Sequence, residues 1–117
     1  MKKFYFLSSC STCKRILQEL QLSESVVQVD IKKAPLTAND LEALVAKSGS
    51  YEALFSKRAQ LYKQRNLKDQ KLNEEDFKTL LLEHYTFLKR PVLLTPTQVV
   101  IGNSAAAVAA MKSALDE

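Results

Sequence analysis

The chain has 117 residues, a formal net charge of +4 and a pI near 9.1. This length provides one hydrophobic core, so we expect a single domain over residues 1–117. Hydrophobic residues make up 46% of the sequence and charged residues 26%, with two glycines and three prolines, which excludes a disordered or fibrous chain. The positive charge suits an anionic ligand, but it is also typical of an ordinary solvated surface.

The N-terminal apolar run is short, because it ends before Ser8. No stretch is long enough to span a membrane, and this run is too short for a signal peptide, so we expect a cytoplasmic protein without a membrane partner. In that reducing compartment, Cys10 and Cys13 at C-x-x-C spacing indicate a redox or metal motif before a structural disulfide.

The first third of the chain predicts a βαβ unit. Residues 3–7 form a short apolar strand, and residues 26–31 form a second strand rich in β-branched side chains. A helix between them is expected to be capped by Ser11 or Thr12. Its apolar face is formed by Ile16, Leu17 and Leu20. Such a unit has parallel strands and a right-handed crossover.

The middle of the chain predicts helices. Thr37 caps a segment that ends at Gly49, Ser50 caps a short helix, and Asn73 opens another whose first turn is acidic. Residues 57–71 are polar and basic, and their pattern assigns no element. The segment of about 36–88 is therefore interpreted as a helical insert.

The last part returns to strands. Residues 92–94 and 99–101 predict a β-hairpin, and Ser104 caps a final helix over residues 105–115. The predicted fold class is α/β, with a small mixed sheet built as βαβ and then ββα around the helical insert.

Cys10 lies where the first strand gives way to the first helix. The free N–H groups and the positive end of the helix dipole favour the thiolate there, and Lys14 and Arg15 in the first turn add positive charge. Cys13 lies one helical turn further on the same side, where it is positioned to attack a mixed disulfide on Cys10. We therefore interpret Cys10 as the nucleophile and Cys13 as a resolving thiol.

Other interpretations of these residues stay open. A C-x-x-C pair is also half of a zinc site, but His84 alone adds too few ligands from the Cys and His residues for four-coordinate zinc, so we predict no metal site. Two inert buried cysteines are a second alternative, which the neighbouring serines and threonine disfavour. The basic residues of segment 57–68 are either a solvated face or contribute to an anion site near the thiolate.

Three segments carry a family resemblance over nearly the whole chain. The first segment, residues 4–20, contains the strand, the C-S-T-C and the helix. The second, residues 54–63, is similar to a Leu-Phe-Asn-Thr-Arg-Gly-x-x-Tyr-Arg segment. The third, residues 88–93, is similar to an Arg-Arg-Pro or Lys-Arg-Pro sequence at the start of a strand. In this order and at these separations, they resemble the thioredoxin-fold family of ArsC-type arsenate reductases and Spx regulators.

The resemblance implies a set of site residues. Cys10 falls on the catalytic cysteine, and Arg58 and Arg90 fall on two arginines that hold the oxyanion beside the thiolate. Pro91 falls on the thioredoxin-fold proline whose peptide bond is cis, which places Arg90 against the active-site turn. The two guanidinium groups would lower the Cys10 pKa and bind an anion through their planar forks.

Five residues are predicted to bind the substrate. They are Ser11, Thr12, Lys14, Pro91 and Asn103. Asn103 stands where the arsenate reductases have a third anion-binding arginine, and the sequence Phe-Leu-Ser at 6–8 replaces their His-Asn-Pro. The second cysteine is found in Spx and favours an internal dithiol–disulfide cycle.

The resemblance implies two functions of different classes. The first is a monomeric thiol-dependent reductase, without a bound cofactor, that acts on arsenate or a glutathione mixed disulfide and takes electrons from glutathione or glutaredoxin. The second is an Spx-like regulator, in which the Cys10–Cys13 disulfide is a switch and the helical insert binds the RNA polymerase α subunit. Spx-type proteins carry a basic C-terminal extension, whereas this sequence ends at 114–117, which favours the enzyme. No direct binding of nucleic acid is expected in either case.

Overall fold

The structure is a computed structural model that describes residues 2–116. Within this range, four strands form one mixed sheet in the order β2-β1-β3-β4. The strands are β1 Lys2–Phe6, β2 Val26–Asp30, β3 Val92–Leu94 and β4 Val99–Ile101. The predicted α/β fold class is confirmed.

The helices follow the predicted order. They are α1 Ser11–Leu20, α2 Ala38–Ser48, α3 Gln60–Gln64, α4 Glu74–Glu83 and α5 Ala105–Leu115, with 3-10 turns at Glu52–Leu54, Leu67–Asp69 and Tyr85–Phe87. In the described part of the chain, every helix is too short or too polar to cross a lipid bilayer.

The chain forms two compact units. The first contains the residues up to 34 together with those from 90 onward, and the second contains residues 35–89. The second unit covers nearly the segment interpreted as a helical insert. That the whole chain forms one domain stays a prediction.

The first unit contains the sheet. β1 pairs in parallel with β2 and antiparallel with β3, and β3 pairs antiparallel with β4, so both the βαβ unit and the hairpin are confirmed. Its buried core joins the sheet to helices α1 and α5 through apolar side chains. These include Phe4, Ile16, Leu93 and Met111, each with no exposed surface.

The second unit is built on helix caps and an aromatic cluster. Thr37 and Asn73 form full capping boxes at α2 and α4, as predicted, and the Ser50 hydroxyl accepts the N–H of Ala53 at 3.1 Å. Phe55 stacks on Phe87 with ring centroids 5.2 Å apart. The unassigned residues 57–71 contain the short α3 and a 3-10 turn.

Two local predictions were wrong. Helix α1 begins one or two residues earlier than expected, because its N-cap is Cys10 and not Ser11 or Thr12. The strands β1 and β2 each end one residue earlier, at Phe6 and Asp30, because the chain turns there toward the following loop.

Candidate active site

The cysteine turn connects β1 to α1. The N–H of Cys10 donates to the carbonyl oxygen of Leu7 at 3.0 Å and closes the turn, and the N–H of Lys14 donates to the carbonyl oxygen of Cys10 at 3.1 Å and begins the helix. Cys10 has extended backbone angles, with φ −92° and ψ 114°, which are usual for an N-cap residue. Its side chain is half-buried.

The environment of Cys10 favours its thiolate. Burial raises the pKa of the thiol, but the N–H and the thiol of Cys13, the N–H of Thr12 and the positive charge of Arg90 together lower it below its usual value of 9.0. The Cys10 sulfur does not cap the helix through a side-chain hydrogen bond. The neighbouring N–H groups and the Arg90 charge therefore stabilise the thiolate electrostatically. Of the two cysteines, Cys10 is thus the one whose surroundings favour the thiolate, the form that reacts as a nucleophile.

Cys13 has the opposite properties. Its side chain has no exposed surface. Burial raises its pKa to about 11, and the neighbouring Cys10 sulfur adds to this increase, whereas the N–H of Leu7 opposes it. At neutral pH it is a thiol that donates toward Cys10. Cys10 thus lies among groups that favour its thiolate, whereas Cys13 keeps its proton and donates it toward Cys10.

Arg90 and Pro91 lie immediately before β3. Their peptide bond is cis, as the resemblance implied. The guanidinium acts on both sulfurs, and its Nη1 atom is buried without a hydrogen-bond partner among the described residues. The carbonyl oxygen of Pro91 accepts the N–H of Gly102 at 2.9 Å, which ties this segment to the end of β4.

The structure places the other predicted binding residues as follows. Ser11, Thr12 and Lys14 belong to the first turn of α1, with Ser11 and Lys14 exposed and Thr12 half-buried. Asn103 is exposed in the loop between β4 and α5. Arg58 is an exposed residue of the second unit, before α3. The roles predicted for these five residues stay predictions.

The sequence analysis missed Asp30. This residue ends β2, and its Oδ1 atom accepts the N–H of Ser8 at 3.4 Å and the N–H of Lys32 at 3.2 Å. Ser8 belongs to the cysteine turn. The predicted pairing of β1 with β2 places the two strand ends side by side, but the register that pairs Phe6 with Asp30 was not predicted.

The fold and this cysteine turn define a thioredoxin-like protein with a redox-type pair of cysteines. The sequence model of the ArsC family matches residues 5–111. The chain belongs to the ArsC family, as the motifs indicated.

Two relatives with a known role are regulators. The chain is 26% identical over 103 residues to the global transcriptional regulator Spx 2 of Bacillus cereus, covering 84% of this chain and 76% of the regulator. It is 25% identical over 107 residues to the protein of the same name from Bacillus anthracis, covering 87% and 79% of the two chains. A regulatory function is therefore one of the functions to test for this chain.

Solved structures confirm the fold. An ArsC family related protein from Bacteroides fragilis has a TM-score of 0.77 at 25% identity, covering 95% of this chain and 98% of that one. An arsenate reductase from Vibrio cholerae also has a TM-score of 0.77, at 20% identity, covering 93% and 95%. Both neighbours share the thioredoxin-like architecture with this chain.

Proposed function

We propose that the protein is a thiol-dependent reductase that uses Cys10 as its nucleophile. The observation that carries the proposal is the asymmetry of the pair: the pKa of Cys10 is lowered in a half-exposed position, whereas burial raises that of Cys13 to about 11. A thiolate that a substrate reaches, with a protonated thiol one helical turn away, is the arrangement that a dithiol–disulfide cycle requires.

The reaction on a mixed disulfide has two steps. The Cys10 thiolate attacks one sulfur of the substrate, forms a new S–S bond and expels the other sulfur as a thiolate. Cys13 then loses its proton and attacks the Cys10 sulfur, which forms the Cys10–Cys13 disulfide and releases the second substrate thiol. Two molecules of glutathione, or a glutaredoxin, supply the two electrons that restore both thiols.

The charge next to Cys10 favours an anionic substrate. The guanidinium of Arg90 has an N–H group without a partner in the described range 2–116, and its positive charge acts on the Cys10 sulfur. Both properties suit a carboxylate or an oxyanion. Arsenate and a glutathione mixed disulfide both satisfy this requirement. We further propose Arg58 as a second anion ligand, on the strength of its place in the family motif.

An assay with purified, reduced protein tests the proposal. It measures turnover of arsenate and of a glutathione mixed disulfide in separate arms, each with glutathione alone and with added glutaredoxin. We expect turnover in at least one arm and its loss in Cys10→Ser. In Cys13→Ser, we expect the mixed disulfide on Cys10 to accumulate, which intact-protein mass spectrometry detects.

Ser9→Ala provides a matched control, because Ser9 is an exposed residue of the same turn. It should keep the turnover of the parent chain. Absence of turnover in every arm, or equal turnover in Cys10→Ser, would contradict the enzyme.

The second candidate is an Spx-like regulator whose Cys10–Cys13 disulfide controls binding to the RNA polymerase α subunit. The similarity to the two Spx 2 proteins favours it, together with the shared C-x-x-C. Binding of purified α subunit to the oxidised and the reduced chain separates the two candidates. Redox-dependent binding without turnover supports the regulator, and turnover without binding supports the enzyme.

A further inference from the structure

The cysteine turn is held from the side of β2 by one carboxylate. Asp30 Oδ1 accepts the N–H of Ser8 at 3.4 Å, two residues before Cys10. The same oxygen accepts the N–H of Lys32 at 3.2 Å. The contact therefore joins the turn to a segment 22 residues further along the chain.

The backbone around Asp30 fixes the position of this carboxylate. Asp30 pairs with Phe6 in the parallel ladder, and the N–H of Ile31 donates to the carbonyl oxygen of Phe6 at 2.9 Å. Beyond the strand, the N–H of Ala34 donates to the carbonyl oxygen of Asp30 at 2.8 Å. The strand end is thus held on both sides, and a carboxylate on a rigid element is a precise anchor for a loop.

The carboxylate is also kept in its charged form. The Ser8 side chain is the largest cause that lowers the pKa of Asp30, and the N–H groups of Lys32 and Ser8 add to it. Asp30 therefore stays a carboxylate until the pH falls below the ordinary carboxyl pKa of 3.8. The other oxygen, Oδ2, is buried and has no partner among the described residues, so the contacts assigned to Asp30 are made through Oδ1.

The turn determines the environment of both sulfurs. Leu7 precedes Ser8; its carbonyl oxygen closes the turn onto the N–H of Cys10, and its own N–H acts on the sulfur of Cys13. A shift of Ser8 would therefore displace Cys10 from the N–H groups at the start of α1. We propose that Asp30 is a positioning residue, which holds the cysteine turn through the N–H and the side chain of Ser8 so that Cys10 stays reactive. Its part in turnover rests on the proposed function, whereas its effect on the Cys10 thiol does not.

The test measures the rate of Cys10 alkylation against pH in the reduced full chain, for Asp30→Asn, Asp30→Glu and Asp30→Ala. Asn keeps an acceptor oxygen at the same distance from the backbone, so its profile should match that of the parent chain within about twofold. Glu keeps the charge but displaces the oxygen by one methylene. We expect Glu and Ala to move the profile to higher pH and to slow alkylation at neutral pH by about threefold or more.

Glu24→Ala is the matched control, because it removes a carboxylate from the exposed loop at the opposite end of β2. It should leave the profile unchanged. The proposal is overturned if the pH profiles of both Asp30→Glu and Asp30→Ala match that of the parent chain. It is also overturned if the profile shifts in Asp30→Asn but not in Asp30→Glu, because that result would mean that only the charge of Asp30 matters and not the position of its oxygen. If Asp30→Ala does not fold, the comparison of Asp30→Glu with Asp30→Asn decides whether the proposal holds. If the parent chain lacks reductase turnover, the proposed enzyme fails, but the alkylation profiles still decide the role of Asp30.

Discussion

Cys10 and Cys13 lie one helical turn apart and yet have opposite chemistry. The difference comes from exposure and from the groups that face each sulfur. Cys10 is half-buried at the start of α1, where N–H groups and Arg90 oppose the effect of burial. Cys13 is fully buried, and burial dominates its pKa. The spacing predicted the roles of nucleophile and resolving thiol, and these local environments are consistent with them.

The asymmetry predicts selective modification. At neutral pH a limiting amount of iodoacetamide should modify one cysteine per reduced chain, and peptide mapping should place the label on Cys10. Cys13 should react at a comparable rate only after unfolding in denaturant, because its sulfur is buried and protonated in the folded chain. Equal labelling of both cysteines in the folded chain would contradict the assigned asymmetry.

Arg90 should control the reactivity of Cys10 through its charge. Arg90→Ala removes the positive charge that favours the thiolate, so the pKa of Cys10 rises and alkylation at neutral pH slows by about threefold or more. Arg90→Lys retains the positive charge, so its alkylation rate should fall less than that of Arg90→Ala. Arg15→Ala is the control, because Arg15 is exposed and pairs with Glu19 at 3.8 Å. An equal loss in Arg15→Ala and Arg90→Ala would show that the effect of Arg90 is not specific.

At the level of elements, the helix boundaries of α2, α4 and α5 were predictable because single residues determine them. Thr37, Asn73 and Ser104 each accept an N–H of the first turn through a side-chain oxygen. The short α3 was not predictable, because five residues are too few to show a helical period. Cys10 was missed as an N-cap because serine and threonine, which follow it, are the usual capping residues.

The predicted caps should contribute measurably to stability. Thr37→Ala removes the oxygen that accepts the N–H of Asp40 at 3.1 Å, and should lower the free energy of unfolding by about 1 kcal/mol. Thr79→Ala is the matched control, since Thr79 is exposed within α4 and its hydroxyl donates to the carbonyl oxygen of Glu75 in the same helix at 2.9 Å. Urea denaturation of the two variants measures the difference. Equal stability of the two would mean that the α2 capping box contributes little.

For the molecule as a whole, the family and the fold followed from motif order, whereas the support of the cysteine turn did not. The C-S-T-C, the Arg90-Pro91 pair and the hairpin lie in the first unit. The antiparallel pairing of β1 with β3 places the end of β1, which leads into the cysteine turn, beside the start of β3, which follows Arg90-Pro91. Asp30 looked like an ordinary charged residue at a strand end. Its contact with Ser8 depends on the register of β1 against β2 and on the path of the turn, which the sequence does not specify.

The ionisation of Cys13 should make the stability of the whole reduced chain fall at alkaline pH. Its pKa is about 11 when folded and near the ordinary 9.0 when unfolded, so the unfolded chain loses this proton first. The stabilisation is therefore complete below pH 9.0 and is lost as the pH rises through about 11. Cys10 has the opposite sign: its pKa is lowered by folding, so its contribution is complete above 9.0 and is lost as the pH falls through the folded value.

Cys13→Ala removes this ionisation and leaves every other side chain of the sequence unchanged. Urea denaturation under a reductant should show the parent chain more stable than Cys13→Ala below pH 9.0, with the difference shrinking as the pH approaches 11. Part of the difference remains at every pH, since alanine fills less of the buried site. A difference that stays constant from pH 9.0 to 11 would mean that the folded chain does not hold Cys13 as a thiol, and the proton-donor role assigned to it beside Cys10 would be wrong.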